Sequence, residues 1–164
     1  MSAEHIASIR PERFDSAVVT HLTDEVQAFY RLVYGDEGDT SPVDPAEFAE
    51  PRGRFFVAYD GPEPVAMGGW RFLPAGDPVP GTRPAEIKRM YVVDGARGRG
   101  LAREMLRHLE HSAREAGADW MVLETGLPQV AALALYRSAG YDPITKFGYY
   151  AAEEDSLNLG KALA

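Results

Sequence analysis

The feature that most constrains the fold is a glycine-containing turn at residues 97–102, Arg-Gly-Arg-Gly-Leu-Ala. Residues 87–93 before it are rich in β-branched and aromatic side chains and predict a strand. After it, apolar residues at helical spacing predict one buried helix face: Leu101, Met105, Leu106, Leu109 and Ala113. A turn of this kind lets backbone N–H groups converge at a helix N-terminus, where the dipole favours anions. The turn therefore predicts a phosphate or pyrophosphate site.

Two common phosphate motifs do not fit this turn. The Walker pattern needs Lys-Ser/Thr, which is absent here. The dinucleotide pattern Gly-x-Gly-x-x-Gly has its first two glycines in Gly98 and Gly100, but Arg103 stands in the third place. The arginines at 97, 99, 103 and 107 favour a polyphosphate contact over the alternative of a solvated helix face.

A third pattern does fit. Arg97-x-x-Gly100-x-Ala102 resembles the Gln/Arg-x-x-Gly-x-Gly/Ala signature of the GCN5-related N-acetyltransferase (GNAT) superfamily, in which this loop holds the pyrophosphate of acetyl-CoA. Residues 123–126, Leu-Glu-Thr-Gly, and the run 129–141 resemble the family's next strand and helix. The resemblance covers the second half of the chain well and the first half loosely.

The periodicity predicts the order β, α, α, β, β, β, α, β, α, β, β, a mixed α/β domain with a sheet covered by helices. The resemblance implies the three-layer GNAT-type acyl-CoA N-acyltransferase fold, with a mostly antiparallel central sheet flanked by helices. We expect a single domain over residues 1–164. Asp15 is the predicted N-cap of the first helix, which should end near Gly35. Tyr141 to Tyr150 and Ser156 to Leu163 read as two closing strands.

Composition excludes several classes of protein. The chain has no cysteine, which rules out disulfides, thiolate metal sites and a cysteine nucleophile. Its net charge of −8 disfavours general nucleic-acid binding. The sequence shows no secretory segment and no apolar run of membrane-spanning length, so we expect a cytoplasmic protein with no membrane partner. For His108 and His111 on the helix, a solvated face is favoured over metal ligation, and no metal is expected.

The resemblance also implies catalytic residues. Glu86, eleven residues before Arg97, is the predicted general base, acting directly or through water. Its alternative is a surface carboxylate that pairs with a neighbouring Lys88 or Arg89. Glu124 is a second candidate base, for which a structural role is favoured. Tyr136 is the predicted acid that protonates the CoA sulfur, and its alternative is an amphipathic core tyrosine.

Contacts to acetyl-CoA follow from the same resemblance. In the strand, main-chain groups should polarise the thioester carbonyl and pair with the pantetheine arm. Gln129 stands where asparagine is commoner. The predicted contact residues are Met90, Tyr91, Val92, Arg97, Gly98, Arg99, Gly100, Leu101, Ala102, Arg103, Gln129 and Tyr136.

These observations predict an acetyl-CoA-dependent N-acetyltransferase that acts on a primary amine by direct transfer in a ternary complex. Two acidic stretches favour a small cationic amine, with ordinary surface acidity as the alternative: Asp36, Glu37, Asp39, Glu153, Glu154 and Asp155. A protein N-terminus or lysine stays open as the acceptor, and so does a homodimer. The competing functions are a catalytically silent acyl-CoA-binding sensor or partner module and, less favoured by charge, a nucleic-acid-binding protein.

Overall fold

The computed structural model describes residues 7–35, 42–74 and 76–163. Within these ranges the chain forms seven strands, three α-helices and two short 3-10 helices, at Pro45–Phe48 and Asp94–Ala96. The longer elements are β1 (Ser8–Pro11), α1 (Ala17–Tyr34), β2 (Gly53–Asp60), β3 (Glu63–Phe72), β4 (Pro84–Val92), α2 (Leu101–Glu115), β5 (Trp120–Gly126), α3 (Val130–Ser138), β6 (Asp142–Pro143) and β7 (Ser156–Ala162). None of the helices described is long and apolar enough to cross a bilayer.

All seven strands join one sheet in the order β1-β2-β3-β4-β5-β7-β6. Every pairing is antiparallel except that of β4 with β5, which is parallel. The parallel ladder joins only Pro84–Glu86 to Trp120–Val122, so the two strands part beyond those residues. The predicted mostly antiparallel sheet flanked by helices is confirmed. Where β4 and β5 part, beyond their short parallel ladder, they leave a gap between them, which is called the wedge below.

Apolar side chains cover both faces of the sheet, which gives three layers. On one face, α2 buries the apolar stripe predicted from its spacing, including Met105 and Leu109, against Trp70 of β3. On the other face, α1 buries Val19, Leu22 and Val26 in a second cluster. These two faces are called the α2 face and the α1 face below.

A bulge in β4 sets which side chains point to each face. Its register with β3 shifts between Met67 and Gly69, and Arg89 has a positive φ of 58°. As a result, Ile87 and Met90 pack into the α2 cluster, whereas Tyr91 packs into the α1 cluster. Gly68 lies under this bulge, and a Cβ there would sit 3.1 Å from the side chain of Leu109.

Two local predictions are wrong. The strand expected over 141–150 is only Asp142–Pro143, because turn hydrogen bonds such as Ala151 N to Gly148 O replace the ladder. Ser16, not Asp15, caps α1: its Oγ accepts from the backbone N–H of Val19, while the Asp15 carboxylate binds Arg13 at 2.9 Å. The predicted end of α1 at Gly35, which has a φ of 69°, is confirmed.

Candidate active site

A cavity of about 740 Å³ occupies the wedge where β4 and β5 part. Its walls come from α1, the bulged half of β4, the 97–103 turn, the end of β5 and α3. Because β4 and β5 no longer pair there, the facing edges of the two strands present their peptide groups to this space. The cavity is therefore suited to an extended ligand that pairs with a strand edge.

The N-terminus of α2 lies at one end of this cavity. Gly98 and Gly100 line it with φ values of 81° and 76°, in the left-handed region that favours glycine. A Cβ on either glycine would meet no atom within 4 Å, and no side chain caps the first turn of the helix. Open space thus adjoins helix N–H groups that have no partner within the helix, an arrangement that suits an anion.

The arginines of the turn divide into two groups. Arg97 and Arg103 line the cavity. The Arg97 guanidinium lies 5.2 Å from the centre of the Phe29 ring, and Arg103 Nη2 donates to Ser138 Oγ at 2.7 Å. Arg99 is not among the lining residues, and its Nη1 binds Asp60 at 2.9 Å. Of the residues predicted to contact acetyl-CoA, Arg99 alone lies outside the cavity lining.

Tyr136 is a buried residue in the wall of the wedge. Its side chain on α3 lines the cavity and is 6% exposed. The hydroxyl faces Met90 Sδ of β4 at 4.0 Å, and the ring packs against that of Tyr141 with centroids 5.7 Å apart. Burial raises the pKa of Tyr136, so the phenol keeps its proton at neutral pH. A protonated phenol at this place can donate to a leaving group.

The two carboxylates proposed as bases have different surroundings. Glu86 is 4% exposed, is not among the cavity-lining residues, and binds Nε and Nη2 of Arg71 at 3.2 and 3.1 Å. Arg71 also binds Glu47. Glu124 lies on the part of β5 that faces the wedge, and it lines the cavity. One of its oxygens accepts a hydrogen bond from Ser156 Oγ at 2.9 Å.

The family of this chain follows from sequence comparison. The sequence profile of the Acetyltransferase (GNAT) family matches residues 19–141. The chain belongs to the GNAT acetyltransferase family. The matched region contains β4, the glycine turn, β5 and α3, the elements that build the cavity.

Individual GNAT relatives and structures agree with this assignment. IAA acetyltransferase of Azospirillum brasilense is 32% identical over 145 residues, which are 88% of this chain and 90% of that protein. Rat N-acetyltransferase 8 is 37% identical over 53% of this chain, which spans only 38% of that relative. A Klebsiella pneumoniae structure assigned to the acyl-CoA N-acyltransferases superposes with a TM-score of 0.77 at 25% identity, covering 96% of this chain and 98% of that one.

In this GNAT protein α1 also lines the wedge. Phe29 and Tyr30 line the cavity from α1, and the bulged Arg89 lines it from β4. Gln129 Nε2 donates to the Tyr34 hydroxyl at 2.8 Å, which ties the end of α1 to the start of α3. No motif marks α1, so only the aromatic residues at its C-terminal end could have signalled this role.

Proposed function

We propose that this chain transfers the acetyl group of acetyl-CoA to the nitrogen of a primary amine, with both substrates bound together in the wedge. The observation that carries this proposal is the cavity between the parted strands, which is lined by the N-terminal turn of α2, by Glu124 and by Tyr136. Membership of the GNAT family supports the same reaction class. Because the chain lacks cysteine, a cysteine-bound acyl intermediate is unavailable, which favours direct transfer.

The residues of the wedge fit acetyl-CoA. The first turn of α2, with Gly98 and Gly100, would take the pyrophosphate, and Arg97 and Arg103 would supply positive charge beside it. The free edge of β4 at Met90–Val92 would pair with the pantetheine arm. The thioester supplies an activated acyl group when it is bound.

Residues of the chain perform the proton transfers. An alkylammonium has a pKa of about 10, so the acceptor must lose a proton before it can attack. We propose that Glu124 takes that proton, directly or through a water. The nitrogen then bonds to the carbonyl carbon while backbone N–H groups of β4 stabilise the charge that develops on the carbonyl oxygen. As the C–S bond breaks, Tyr136 gives its proton to the sulfur, and the acylated nitrogen loses its second proton, which restores the phenol directly or through a water.

Glu124 is preferred to Glu86 as the base because of its contacts. A base must reach the acceptor, and Glu124 lines the cavity, whereas Glu86 is buried against Arg71. The role of Glu86 proposed from sequence remains the alternative, in which a water would have to relay the proton to it.

For the acceptor we propose a small cationic amine. Glu153, Glu154 and Asp155 are exposed immediately before β7, and would attract a positive charge by long-range steering. The other acidic stretch, at 36–39, lies outside the described residues.

Amines that carry a second positive charge should show a higher kcat/KM than amines of similar size that carry none besides the reacting group. This advantage should shrink as the salt concentration is raised. Equal activity on the two kinds of amine would contradict this electrostatic preference.

Binding of acetyl-CoA is tested by a matched pair of substitutions at Gly100. Asn and Asp have the same shape and both tolerate the left-handed conformation, so they differ mainly in charge. We expect Gly100→Asp to weaken acetyl-CoA binding about tenfold more than Gly100→Asn, because its carboxylate would repel the pyrophosphate. Isothermal titration calorimetry at low salt measures this difference. Equal affinities of the two variants for acetyl-CoA would show that the pyrophosphate does not bind at the N-terminus of α2.

A further inference from the structure

The pair of strands that carries Glu124 bears a second polar group that the reaction above does not use. In the register of β5 with β7, Asn158 lies directly opposite Glu124, and Ser156 lies opposite Gly126. Since alternate residues of a strand share a face, Glu124, Ser156 and Asn158 lie on the same face of the sheet. The hydrogen bond from Ser156 to Glu124 agrees with this placement. These three residues are called the β5–β7 floor.

Two side chains bound the β5–β7 floor. At one end, the next residue pair is Val122 with Gly160, and a Cβ on Gly160 would lie 3.1 Å from Ile144 Cγ2. At the other end, a Cβ on Gly126 would overlap the Tyr34 hydroxyl. The floor therefore lies on the α1 face, between Ile144 and Tyr34, and Glu124 joins it to the wedge cavity.

Asn158 is the anomaly in this arrangement. It is 1% exposed, and among the residues that the structure describes neither its side-chain nitrogen nor its oxygen has a hydrogen-bond partner. Burying a carboxamide without partners is unfavourable, and native proteins rarely tolerate it without a reason. The lack of hydrogen-bond partners for the Asn158 carboxamide, close to the proposed acceptor site, is explained if a ligand supplies those hydrogen bonds.

We propose that Asn158 recognises the acceptor: its carboxamide binds a hydroxyl or carbonyl group close to the reacting nitrogen while Glu124 engages the amine. This inference rests on the proposed acetyl transfer and names the substrate class. Directly opposed residues on antiparallel strands have Cβ atoms about 4.5–5.5 Å apart, which suits two polar groups separated by two or three bonds. The acceptor is accordingly a 2-amino alcohol or an amino-acid derivative such as an amide, rather than a simple alkylamine.

Asn158 is not among the residues that line the cavity, so the acceptor must displace side chains, rather than the sheet, to reach its carboxamide. The cover near the floor includes Ile144, which follows β6 in a segment that forms neither a helix nor a strand and whose backbone N–H donates to Asn158 O at 2.9 Å. Side-chain adjustments of this size are common when ligands bind. The carboxamide of Asn158 can donate to a carbonyl or hydroxyl oxygen and accept from a hydroxyl hydrogen. Both kinds of substrate, the 2-amino alcohol and the amino-acid derivative, can therefore form hydrogen bonds with it.

The substitution Asn158→Leu separates this role from a structural one. Leucine has the same number and branching of side-chain heavy atoms and no polar atoms, so it removes an unsatisfied group from the interior. We expect the melting temperature to rise by about 2–4 °C. In the same variant, kcat/KM for a 2-amino alcohol should fall about tenfold, with unchanged affinity for acetyl-CoA. A carboxamide with a purely structural role would predict a lower melting temperature.

The assay compares pairs of amines, each a 2-amino alcohol and an alkylamine with the same number of heavy atoms, by thiol release from acetyl-CoA. The unmodified protein should prefer the amino alcohol, and Asn158→Leu should lose that preference. No preference in the unmodified protein, a preference that survives substitution, or a fall in melting temperature would each overturn the inference. If leucine prevents folding, the smaller Asn158→Val is measured in the same way. Acetyl-CoA binding without turnover of any amine would instead overturn the proposed transfer, and this inference with it.

Discussion

Replacing Glu124 by Gln should lower kcat about 10²–10⁴-fold, because glutamine keeps the shape of the side chain and cannot accept the proton of the acceptor. The fall should be the same for every amine that the protein acetylates. Affinity for acetyl-CoA should be unchanged, since Glu124 lies at the β5 side of the wedge and the turn proposed to bind the pyrophosphate begins α2. Steady-state thiol release and calorimetry on the same sample measure the two quantities.

Glu86→Gln is the matched control for this experiment. It makes the same chemical change on β4, in a residue that is buried against Arg71 and does not line the cavity. We expect kcat to change less than about threefold and the protein to lose stability, because Arg71 would lose one of its two carboxylate partners. The reverse pattern, with full activity in Glu124→Gln and loss in Glu86→Gln, would assign the base to Glu86.

Replacing Tyr136 by Phe should lower kcat about 10²–10⁴-fold while the affinity for acetyl-CoA stays within about twofold, because only the proton donor is removed. Burial raises the pKa of this phenol above its ordinary value of about 10, so the hydroxyl should remain protonated and competent through mildly alkaline pH. The rate of the unmodified protein should therefore show no alkaline loss from Tyr136 below about pH 10.

Tyr141→Phe provides the control for Tyr136→Phe. Its ring packs against Tyr136, and its hydroxyl donates to the buried Glu110 at 2.8 Å. Removing this hydroxyl should reduce stability by about 1–3 kcal/mol, since Glu110 then loses a partner, and leave kcat near that of the unmodified protein. Equal loss of kcat in the two variants would mean that Tyr136 acts through packing rather than as an acid.

Local sequence information predicted the glycine turn and the buried face of the helix that follows it. The glycines at 98 and 100 take the left-handed conformation, and the apolar stripe of α2 is buried as its spacing indicated. These features depend on backbone conformation and on periodicity over one helix. The short second helix of the predicted order, at Pro45–Phe48, also depends on local contacts, because Asp44 forms its N-cap and Glu47 completes a capping box.

Features that depend on distant residues could not be predicted in this way. Nothing local shows that Glu86 meets Arg71, or that Gln129 reaches Tyr34 across 95 positions of the chain. The bulge at Arg89 arises from the pairing of β4 with β3, and it decides which residues of β4 face the cavity. Asp15 and Ser16 are adjacent residues that both favour N-caps, and the ion pair of Asp15 with Arg13 leaves the cap to Ser16.

The most direct test of the account is to incubate the protein with acetyl-CoA and a panel of primary amines, and to identify the products by mass spectrometry alongside thiol release. We expect thiol release that requires an amine, with one acetyl group added to the amine nitrogen for each thiol formed. Both signals should disappear together in Glu124→Gln and in Tyr136→Phe. Thiol release that does not depend on an amine, or tight acetyl-CoA binding with no acetylated amine across the panel, would contradict it.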